Sequence, residues 1–105
     1  MMLRLGNVRL SSNLLLSPIA GYCDLAFRLT VRPLGGLALA SSDLINPRGL
    51  LRQTRKSMEL VETEPADQPL CIQLYGHEPD EMAGAAQWCE ENGAVVIDIN
   101  MGCPV

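Results

Sequence analysis

The last residues of the sequence place a thiol where chemistry is possible. The stretch DINMGCPV begins as the end of an apolar strand and closes in a turn of Gly102, Cys103 and Pro104. Glycine lets the backbone come close to a ligand, and proline stiffens the chain that leaves the turn. Asn100 and Asp98 share one side of the strand because side chains alternate, and we expect the deeper Asp98 to orient its neighbours rather than react. The spacing alone supports a functional thiol and a small buried cysteine equally.

Two earlier segments could contribute further groups to a site. Gln73 lies within an apolar run, and a buried amide needs partners for both its oxygen and its nitrogen. On the sequence alone, a bond to a neighbouring loop is the favoured explanation of this residue. Pro18, Ile19 and Ala20 have little side-chain chemistry, although such a turn would let a flat ring lie against the backbone. A plain strand-to-helix turn explains the same three residues.

The hydrophobic pattern predicts the elements that must position these residues. Strand-like apolar runs occupy residues 5–10 (a short strand or one arm of a hairpin), 14–17, 37–41, 70–75 and 94–99. Helical patterns begin after Asp24, which can cap the first turn, and at Pro47 and Pro79, which suit a first helical position. The stripe that the third helix should bury is Met82, Ala85, Ala86 and Cys89. Buried strands that alternate with helices predict an α/β fold with a parallel sheet.

The number of βα units indicates which parallel fold this is. About four βα units in 105 residues correspond to half of a (β/α)₈ TIM barrel, which needs about 250 residues. An open doubly wound sheet is the other option, but no Gly-x-Gly-x-x-Gly follows the first strand. The chain ends on a turn directly after a strand, so we expect the N-terminal part of a barrel and a fragment of a longer chain. Functional groups would then gather at the C-terminal strand ends, which carry residues 18–20, Asp43, Gln73, Asn100 and Cys103.

Composition narrows the environment in which the protein works. Apolar residues make up 48% of the chain and charged residues 19%, as in soluble globular proteins. No apolar run reaches the roughly 18 residues of a membrane span, and no basic leader precedes the apolar residues 13–21. We therefore expect a cytoplasmic protein with no membrane segment. None of the four cysteines forms a Cys-x-x-Cys pair, so we expect no metal site and three cysteines packed as small apolar side chains.

Half of the basic residues fall within nine positions. They are Arg48, Arg52, Arg55 and Lys56, and their spacing predicts one face of a single helix after the second strand. Such a face could bind RNA phosphates, but a solvated face with an Arg55–Glu59 pair is the favoured interpretation. The net charge of −4 makes these 105 residues a poor RNA binder by themselves. His77 is expected to be solvated, and we assign it no role.

Three segments together resemble the tRNA-dihydrouridine synthase family. They are LSPIAGYCDLAFR, QPLCIQLYGHEPDEMAGAA and GAVVIDINMGCP, which occur in the family's order and at compatible spacing. Each is only moderately specific, but the combination is strong and covers nearly the whole chain. The resemblance implies an FMN-binding TIM-barrel catalytic domain, here residues 1–105 of it, whose second half and helical tRNA-binding domain are absent. It also implies NADPH as reductant and tRNA as substrate.

The resemblance also implies a role for individual residues. Hydride would pass to C6 of a uracil in tRNA, and Cys103 matches the cysteine that protonates C5. An unperturbed thiol, with a pKa of about 8.5, is mostly protonated at neutral pH and can serve as that acid. Asn100 matches the asparagine beside the uracil, and Gln73 matches a flavin-contacting glutamine. Pro18, Ile19 and Ala20 match the turn under the flavin.

Departures from the family leave other functions open. The family usually has Glu-Met after strand two, where this chain has Asp43-Leu44, so any contact of the shorter carboxylate needs testing. Another FMN barrel that acts on a free pyrimidine, such as a dihydroorotate or dihydropyrimidine dehydrogenase, also places Asn and Cys or Ser before a Pro at a strand end. A non-enzymatic half barrel that serves only as a scaffold is the third hypothesis.

Overall fold

Four parallel strands form the main sheet, and helices occupy the three connections between them. A computed structural model describes residues 3–103. The strands are β1 (Leu3–Leu5), β2 (Val8–Leu10), β3 (Leu14–Leu16), β4 (Leu37–Ile45), β5 (Leu70–Tyr75) and β6 (Ala94–Asn100). The helices are α1 (Leu25–Val31), followed by a 3₁₀ turn (Arg32–Leu34), α2 (Pro47–Leu51), α3 (Arg55–Leu60) and α4 (Pro79–Glu91). The sheet order is β3-β4-β5-β6, all parallel, which confirms the predicted α/β fold with a parallel sheet.

The helices begin where the capping residues predicted. The Phe27 N–H donates to the Asp24 carboxylate at 2.8 Å, which satisfies one unpaired donor in the first turn of α1. At α2 the side chain of Asn46 accepts from the N–H of Arg48 at 3.0 Å, and Pro47 occupies the first helical position. Pro79 likewise begins α4, with acidic residues in its first turn. The placement of these three helix starts is confirmed.

The first parallel strand differs from its predicted buried position. Residues 14–17 were expected to form a buried strand, but Leu14 is 58% and Leu15 is 45% exposed. The reason is position, because β3 is an outer strand of the four and pairs only with β4. The run at residues 5–10 is also more than one strand, since β1 and β2 form an antiparallel hairpin that turns at Gly6, where φ is +59°. A positive φ favours glycine at that turn.

The second parallel strand is longer than its apolar run. Residues 37–41 were predicted, but pairing with β5 continues to Ile45 after an irregular step between Ser41 and Leu44. The sequence pattern did not predict this longer strand, because the polar residues at the irregular step interrupt the apolar run. The Ser42 hydroxyl accepts from the Gln73 N–H at 3.1 Å and so replaces a regular backbone bond. The extension carries Asp43 within the strand rather than beyond its end.

Two apolar clusters cover the two faces of the sheet. The larger one lies under the helices and is built on Leu70, Ile72 and Leu74 of β5, with Ala85 and Cys89 of α4. Met82 and Ala86 pack against it, so the predicted stripe of α4 is confirmed. The smaller cluster lies on the opposite face, where the hairpin residue Leu10 meets Leu39, Cys71 and Val96 near the beginnings of the strands. The hairpin thus covers the N-terminal half of this face and leaves its C-terminal half open.

A buried ion-pair network joins α1 to the loop before β5. The Arg28 guanidinium donates to both Asp67 oxygens at 2.8 to 3.1 Å, and neither residue is exposed. Arg32 donates to the same carboxylate at 2.9 Å, and Thr63 does so at 2.8 Å. Burial opposes ionisation of Asp67, but these hydrogen bonds outweigh it and lower the pKa of the carboxyl. The network fixes the end of the first βα unit against the start of the third strand of the sheet.

Candidate functional site

The sheet face that the hairpin covers only in part carries, in its open C-terminal half, the polar residues that the sequence singled out. In the register of β5 and β6, Gln73 lies opposite Asp98, and Tyr75 lies opposite Asn100. Because side chains alternate along a strand, the side chains of these four residues share one face of the sheet. They lie on the C-terminal side of the apolar cluster under the hairpin. The parallel register thus brings together two amides and a carboxylate that are far apart in the sequence.

Hydrogen bonds connect these polar side chains in a row. The Gln73 amide nitrogen donates to Asp98 at 2.6 Å, and the Gln73 oxygen accepts from the Asn100 amide at 3.5 Å. Gln73 is 8% exposed, so the predicted burial of this amide is correct. The favoured explanation from the sequence, a bond to a neighbouring loop, is wrong for its side chain. Asp98 accepts this hydrogen bond from the neighbouring strand, and its expected role in orienting neighbouring groups stays a prediction.

The turn that carries the thiol is held by Asn100. The Asn100 side-chain oxygen accepts from the Gly102 N–H at 2.9 Å, which closes a short turn immediately before Cys103. Cys103 is partly exposed, whereas Cys23, Cys71 and Cys89 are buried. Burial raises the pKa of the Cys89 thiol to about 11, and burial is also the main cause of the raised pKa values of Cys23 and Cys71. Three cysteines therefore pack as predicted, and the fourth is accessible. Pro104, which follows in the predicted turn, lies outside the described residues.

The turn after β3 is fixed by two side chains. Its backbone folds back through bonds from the N–H groups of Tyr22 and Cys23 to the Ile19 oxygen at 3.0 and 3.2 Å. The Gly21 N–H donates to the Asp43 carboxylate at 2.9 Å. Gly21 has a φ of +83°, a conformation that side chains disfavour, so glycine suits this corner. The shorter carboxylate at position 43 does reach a partner, which is the backbone of the predicted ligand-binding turn.

The second of these side chains is the thiol of Cys23. Its sulfur accepts from the Ile19 N–H and its S–H donates to the Ser17 oxygen, both at 3.3 Å. The residue is fully buried beneath the turn. Sequence reasoning missed this contact, because a lone cysteine in a turn has no recognisable pattern.

A cavity of about 750 Å³ connects the turn with the thiol. Its wall includes Ala20, Gly21, Asp43, Lys56, Tyr75 and Cys103. The volume falls within the range of small-molecule sites, roughly 300–1,000 Å³. Ala20 and Cys103 thus meet at one cavity, as predicted. Pro18 and Ile19 belong to the same turn, while Gln73 and Asn100 lie in the neighbouring row of polar side chains; none of these four lines the cavity.

The basic residues do not form the single helical face that their spacing predicted. That prediction is wrong because the chain breaks at Gln53, where φ is +54°, and Thr54 caps a new helix by accepting from the Ser57 N–H at 3.2 Å. Arg48 pairs instead with Glu81 of α4 at 2.7 Å. Arg55 pairs with Glu59 at 3.2 Å, as the solvated-face interpretation expected. Of the four, only Lys56 borders the cavity that contains Cys103.

Two further features of residues 3–103 bear on the kind of protein. No helix in this range is both long enough and apolar enough to cross a membrane. The same residues contain no group of three or more histidine, cysteine, aspartate or glutamate side chains arranged to hold a metal ion. The groups that line the cavity include an amine, two carboxylates, a phenol and a thiol, which can bind and exchange protons with an organic ligand.

Fold and site together define a class. This is a parallel α/β protein whose amides, carboxylates and accessible thiol lie toward the C-terminal ends of the strands, the usual position of ligand sites in such sheets. A sequence model of one family, described as dihydrouridine synthase, matches residues 15–105. The chain belongs to the dihydrouridine synthase family.

Curated relatives agree with this assignment. A probable tRNA-dihydrouridine synthase of Rickettsia typhi is 40% identical over 106 residues, covering 98% of this chain and 32% of the relative. The tRNA-dihydrouridine synthase B of Vibrio parahaemolyticus is 41% identical over 103 residues, covering 97% and 31%. A probable tRNA-dihydrouridine synthase of Synechocystis is 38% identical, covering 98% and 29%. The chain therefore spans about a third of the length of these relatives.

Proposed function

We propose that the full-length protein containing this chain reduces uridines of tRNA to 5,6-dihydrouridine, with FMN as bound cofactor and NADPH as reductant. One observation carries the proposal. In a chain of the dihydrouridine synthase family, the accessible Cys103 lies at the same cavity as the Ala20-Gly21 turn, next to the row formed by Gln73, Asp98 and Asn100. A proton donor and two amides are thus adjacent to a space of ligand size.

We further propose that residues 1–105 are the N-terminal part of a (β/α)₈ TIM barrel. The unbroken order β3-β4-β5-β6 supports this, as does the hairpin, which covers the N-terminal half of the inner face. The two outer strands also support it, because within residues 3–103 each has a free edge where a further strand could pair. Each also carries an exposed apolar side chain that further elements could cover, Leu14 of β3 at 58% and Ile99 of β6 at 55% exposure. The other half of the barrel and a helical tRNA-binding domain would belong to the part of the longer relatives that this chain does not span.

The residues present suit one side of a flavin. The turn at residues 18–21 has a small side chain at Ala20 and none at Gly21, so a flat ring could approach its backbone. The Gln73 amide uses one hydrogen for Asp98 and one lone pair for Asn100. It therefore retains one donor and one acceptor, and these match the pyrimidine edge of a flavin, which also presents both donors and acceptors. When bound, reduced FMN supplies the hydride that enters the pyrimidine ring.

Cys103 would complete the reduction by supplying a proton. A hydride at C6 of the uracil leaves negative charge on C5 and O4, and a proton at C5 then gives the saturated C5–C6 bond. The Cys103 thiol is partly exposed and lines the cavity, so it can reach a substrate there. The nearby Asp43 carboxylate accepts from the N–H groups of Gly21 and Leu44 and is committed to the turn. The thiolate left on Cys103 would regain its proton from water, which an open cavity admits.

Asn100 would hold the pyrimidine in place beside the thiol. Its oxygen is bound to the Gly102 N–H and its nitrogen faces Gln73, which leaves one amide hydrogen and one lone pair for a ligand. Those two groups match a uracil edge, on which carbonyl oxygens flank an N–H. Because Asn100 also shapes the turn before Cys103, substrate position and acid position depend on one side chain.

The experiment that tests the proposal uses the full-length protein, NADPH and a tRNA transcript that lacks modifications. We expect NADPH oxidation that depends on tRNA, and nucleosides from the digested tRNA should include one with the mass of uridine plus two hydrogens. Acid release of the bound flavin should yield FMN. Reduction of free uracil or orotate without reduction of tRNA would favour the free-pyrimidine enzyme. Failure to reduce any of these substrates by a flavin-loaded protein would contradict the proposal.

A further inference from the structure

The row of polar side chains on β5 and β6 has a defined order of hydrogen-bond donors and acceptors. Asp98 begins it, and a carboxylate can only accept hydrogen bonds, so the group of Gln73 that faces it at 2.6 Å is the amide nitrogen. The Gln73 oxygen consequently points the other way and accepts from the Asn100 nitrogen at 3.5 Å. The Asn100 oxygen then points toward the Gly102 N–H, 2.9 Å away. The row is thus fixed at both ends, by a carboxylate that can only accept and by a backbone N–H that can only donate.

We propose that Asp98 is a positioning residue that sets the amide orientation of Gln73, whose oxygen then holds Asn100 and the turn that carries Cys103. The catalytic consequence rests on the proposed function, but the hydrogen-bond order does not. Without Asp98 the Gln73 amide could flip and turn its nitrogen toward the Asn100 nitrogen, so the bond between the two amides would be lost and Gln73 would offer a mixture of donor and acceptor to a ligand. Asp98 acts through its neighbours, and no direct contact joins it to Cys103.

The surroundings of Asp98 support this role. Among residues 3–103, its carboxylate forms no ion pair; those of this region join Arg28 and Arg32 to Asp67, Arg48 to Glu81, and Arg55 to Glu59. Its charge is therefore met by the Gln73 amide rather than by a described cation. Cys71 also lies near Asp98, since the pKa of its thiol is raised mainly by burial and further by the charge of that carboxylate. The strand register fixes the carboxylate opposite Gln73, so the order of the row is built into the sheet.

The test compares three variants of the full-length protein by the alkylation rate of Cys103. Asp98→Asn keeps the size of the side chain but lets it donate or accept, so both orientations of the Gln73 amide become possible. The double variant Gln73→Glu/Asp98→Asn exchanges the two groups, so that the carboxylate lies on β5 at position 73 and an amide lies opposite it on β6 at position 98. The new carboxylate still accepts from the Asn100 nitrogen, so the orientation of Asn100 is retained. Asp80→Asn, at an exposed position in the first turn of α4, is the matched control.

Iodoacetamide with mass spectrometry follows Cys103 separately from the three buried cysteines. We expect Asp98→Asn to change its alkylation rate about fivefold, the effect of one hydrogen bond, and Asp80→Asn to leave it unchanged. The double variant should return the rate to within about twofold of the wild type. With tRNA, Asp98→Asn should lower kcat by about the same factor. In the double variant the turn before Cys103 should be held as in the wild type. The double variant should nevertheless bind FMN more weakly, because position 73 then lacks a hydrogen-bond donor.

The outcomes separate this inference from the proposed function. Equal alkylation rates in Asp98→Asn and Asp80→Asn would overturn it, whatever the protein does with tRNA. A protein that does not reduce tRNA but shows the change and its recovery would retain the positioning role and reject the function. If Asp98→Asn does not fold, the double variant decides, because an alkylation rate more than about fivefold from the wild type would overturn the inference.

Discussion

Asp43 of β4 anchors the turn that follows β3, since its carboxylate accepts the Gly21 N–H at 2.9 Å across two adjacent strands. The other oxygen accepts the Leu44 N–H at 2.6 Å, so the side chain is held from both ends. The turn therefore depends on a residue 22 positions further along the chain. This contact, rather than the turn sequence alone, fixes the backbone against which we propose that the flavin lies.

Replacing this carboxylate tests that dependence. We expect Asp43→Ala in the full-length protein to weaken FMN binding about five- to tenfold, because one hydrogen bond of roughly 1 kcal/mol no longer fixes the turn. Asp43→Glu, which restores the residue that the family usually has, should retain most of the affinity. Quenching of flavin fluorescence during titration measures both. An Asp43→Ala protein that binds FMN as tightly as the wild type would show that the turn keeps its shape unaided.

The buried pair of Arg28 and Asp67 makes stability depend on pH at the acidic end. The folded state lowers the pKa of Asp67, so its contribution to the free energy of unfolding is complete above the unfolded pKa of about 3.9. It is lost as the pH falls through the lower, folded value. Asp67→Asn should remove it at all pH values and lower the free energy of unfolding by about 3 kcal/mol near neutral pH, since the buried Arg28 and the partly buried Arg32 lose their charged partner.

Urea unfolding followed by circular dichroism, from pH 7 to pH 3, measures this effect. Glu59→Gln is the control, because it breaks the exposed pair with Arg55 and should cost no more than about 0.5 kcal/mol. The difference between wild type and Asp67→Asn should shrink below about pH 4. A difference that stays constant down to pH 3 would mean that hydrogen bonding and packing, rather than the charge of Asp67, stabilise this loop.

The sequence predicted the sheet well because its signals are local. Alternating apolar runs, a capping aspartate and prolines at helix starts each act within a few residues, and strands β5 and β6 formed where the runs lay. The end of β4 was missed for the same reason. Its continuation depends on pairing with β5, and the three polar residues from Ser41 to Asp43 carried no apolar signal.

The site was predicted in part. Side-chain alternation was enough to place Asp98 and Asn100 on one face, and the resemblance to a family indicated Cys103 and Gln73 as candidate site residues, a prediction that the proposed experiments would test. The contacts of Asp43 with Gly21, and of Arg28 with Asp67, join residues 22 and 39 positions apart and have no periodic pattern. The break between α2 and α3 was hidden as well, because Gln53 adopts its positive φ without being a glycine. Such features follow from tertiary packing, which the sequence pattern does not encode.

Lys56 is the basic residue that we expect to affect tRNA binding most. It borders the cavity with Cys103, where the phosphates beside a bound uridine would pass, whereas Arg55 is paired with Glu59 on the exposed side of α3. Lys56→Glu should weaken tRNA binding by about tenfold at low salt and reduce the salt slope by about one, with Arg55→Glu as the control. Filter binding at several salt concentrations measures both. Equal effects of the two variants would mean that only the overall charge matters.

The final prediction concerns the thiol and separates it from its neighbour Asn100. We expect Cys103→Ala in the full-length enzyme to leave the bleaching of flavin absorbance by NADPH unchanged. The return of that absorbance on mixing with tRNA should slow about 10²- to 10⁴-fold, the usual cost of losing a positioned acid. Asn100→Ala should slow the same step and also raise the tRNA concentration that half-saturates it, because both the pyrimidine and the Gly102 turn lose a partner.

Stopped-flow absorbance follows the two steps separately, and circular dichroism with flavin content shows that each variant is folded and loaded. Cys103→Ser is the informative intermediate, because a hydroxyl fits the same turn but is a much weaker acid than a thiol. Its rate with tRNA should therefore lie near that of Cys103→Ala rather than near that of the wild type. Reoxidation of Cys103→Ala by tRNA at the wild-type rate would mean that another group protonates C5. Tyr75, whose hydroxyl can donate and which lines the same cavity, would then be the next residue to substitute.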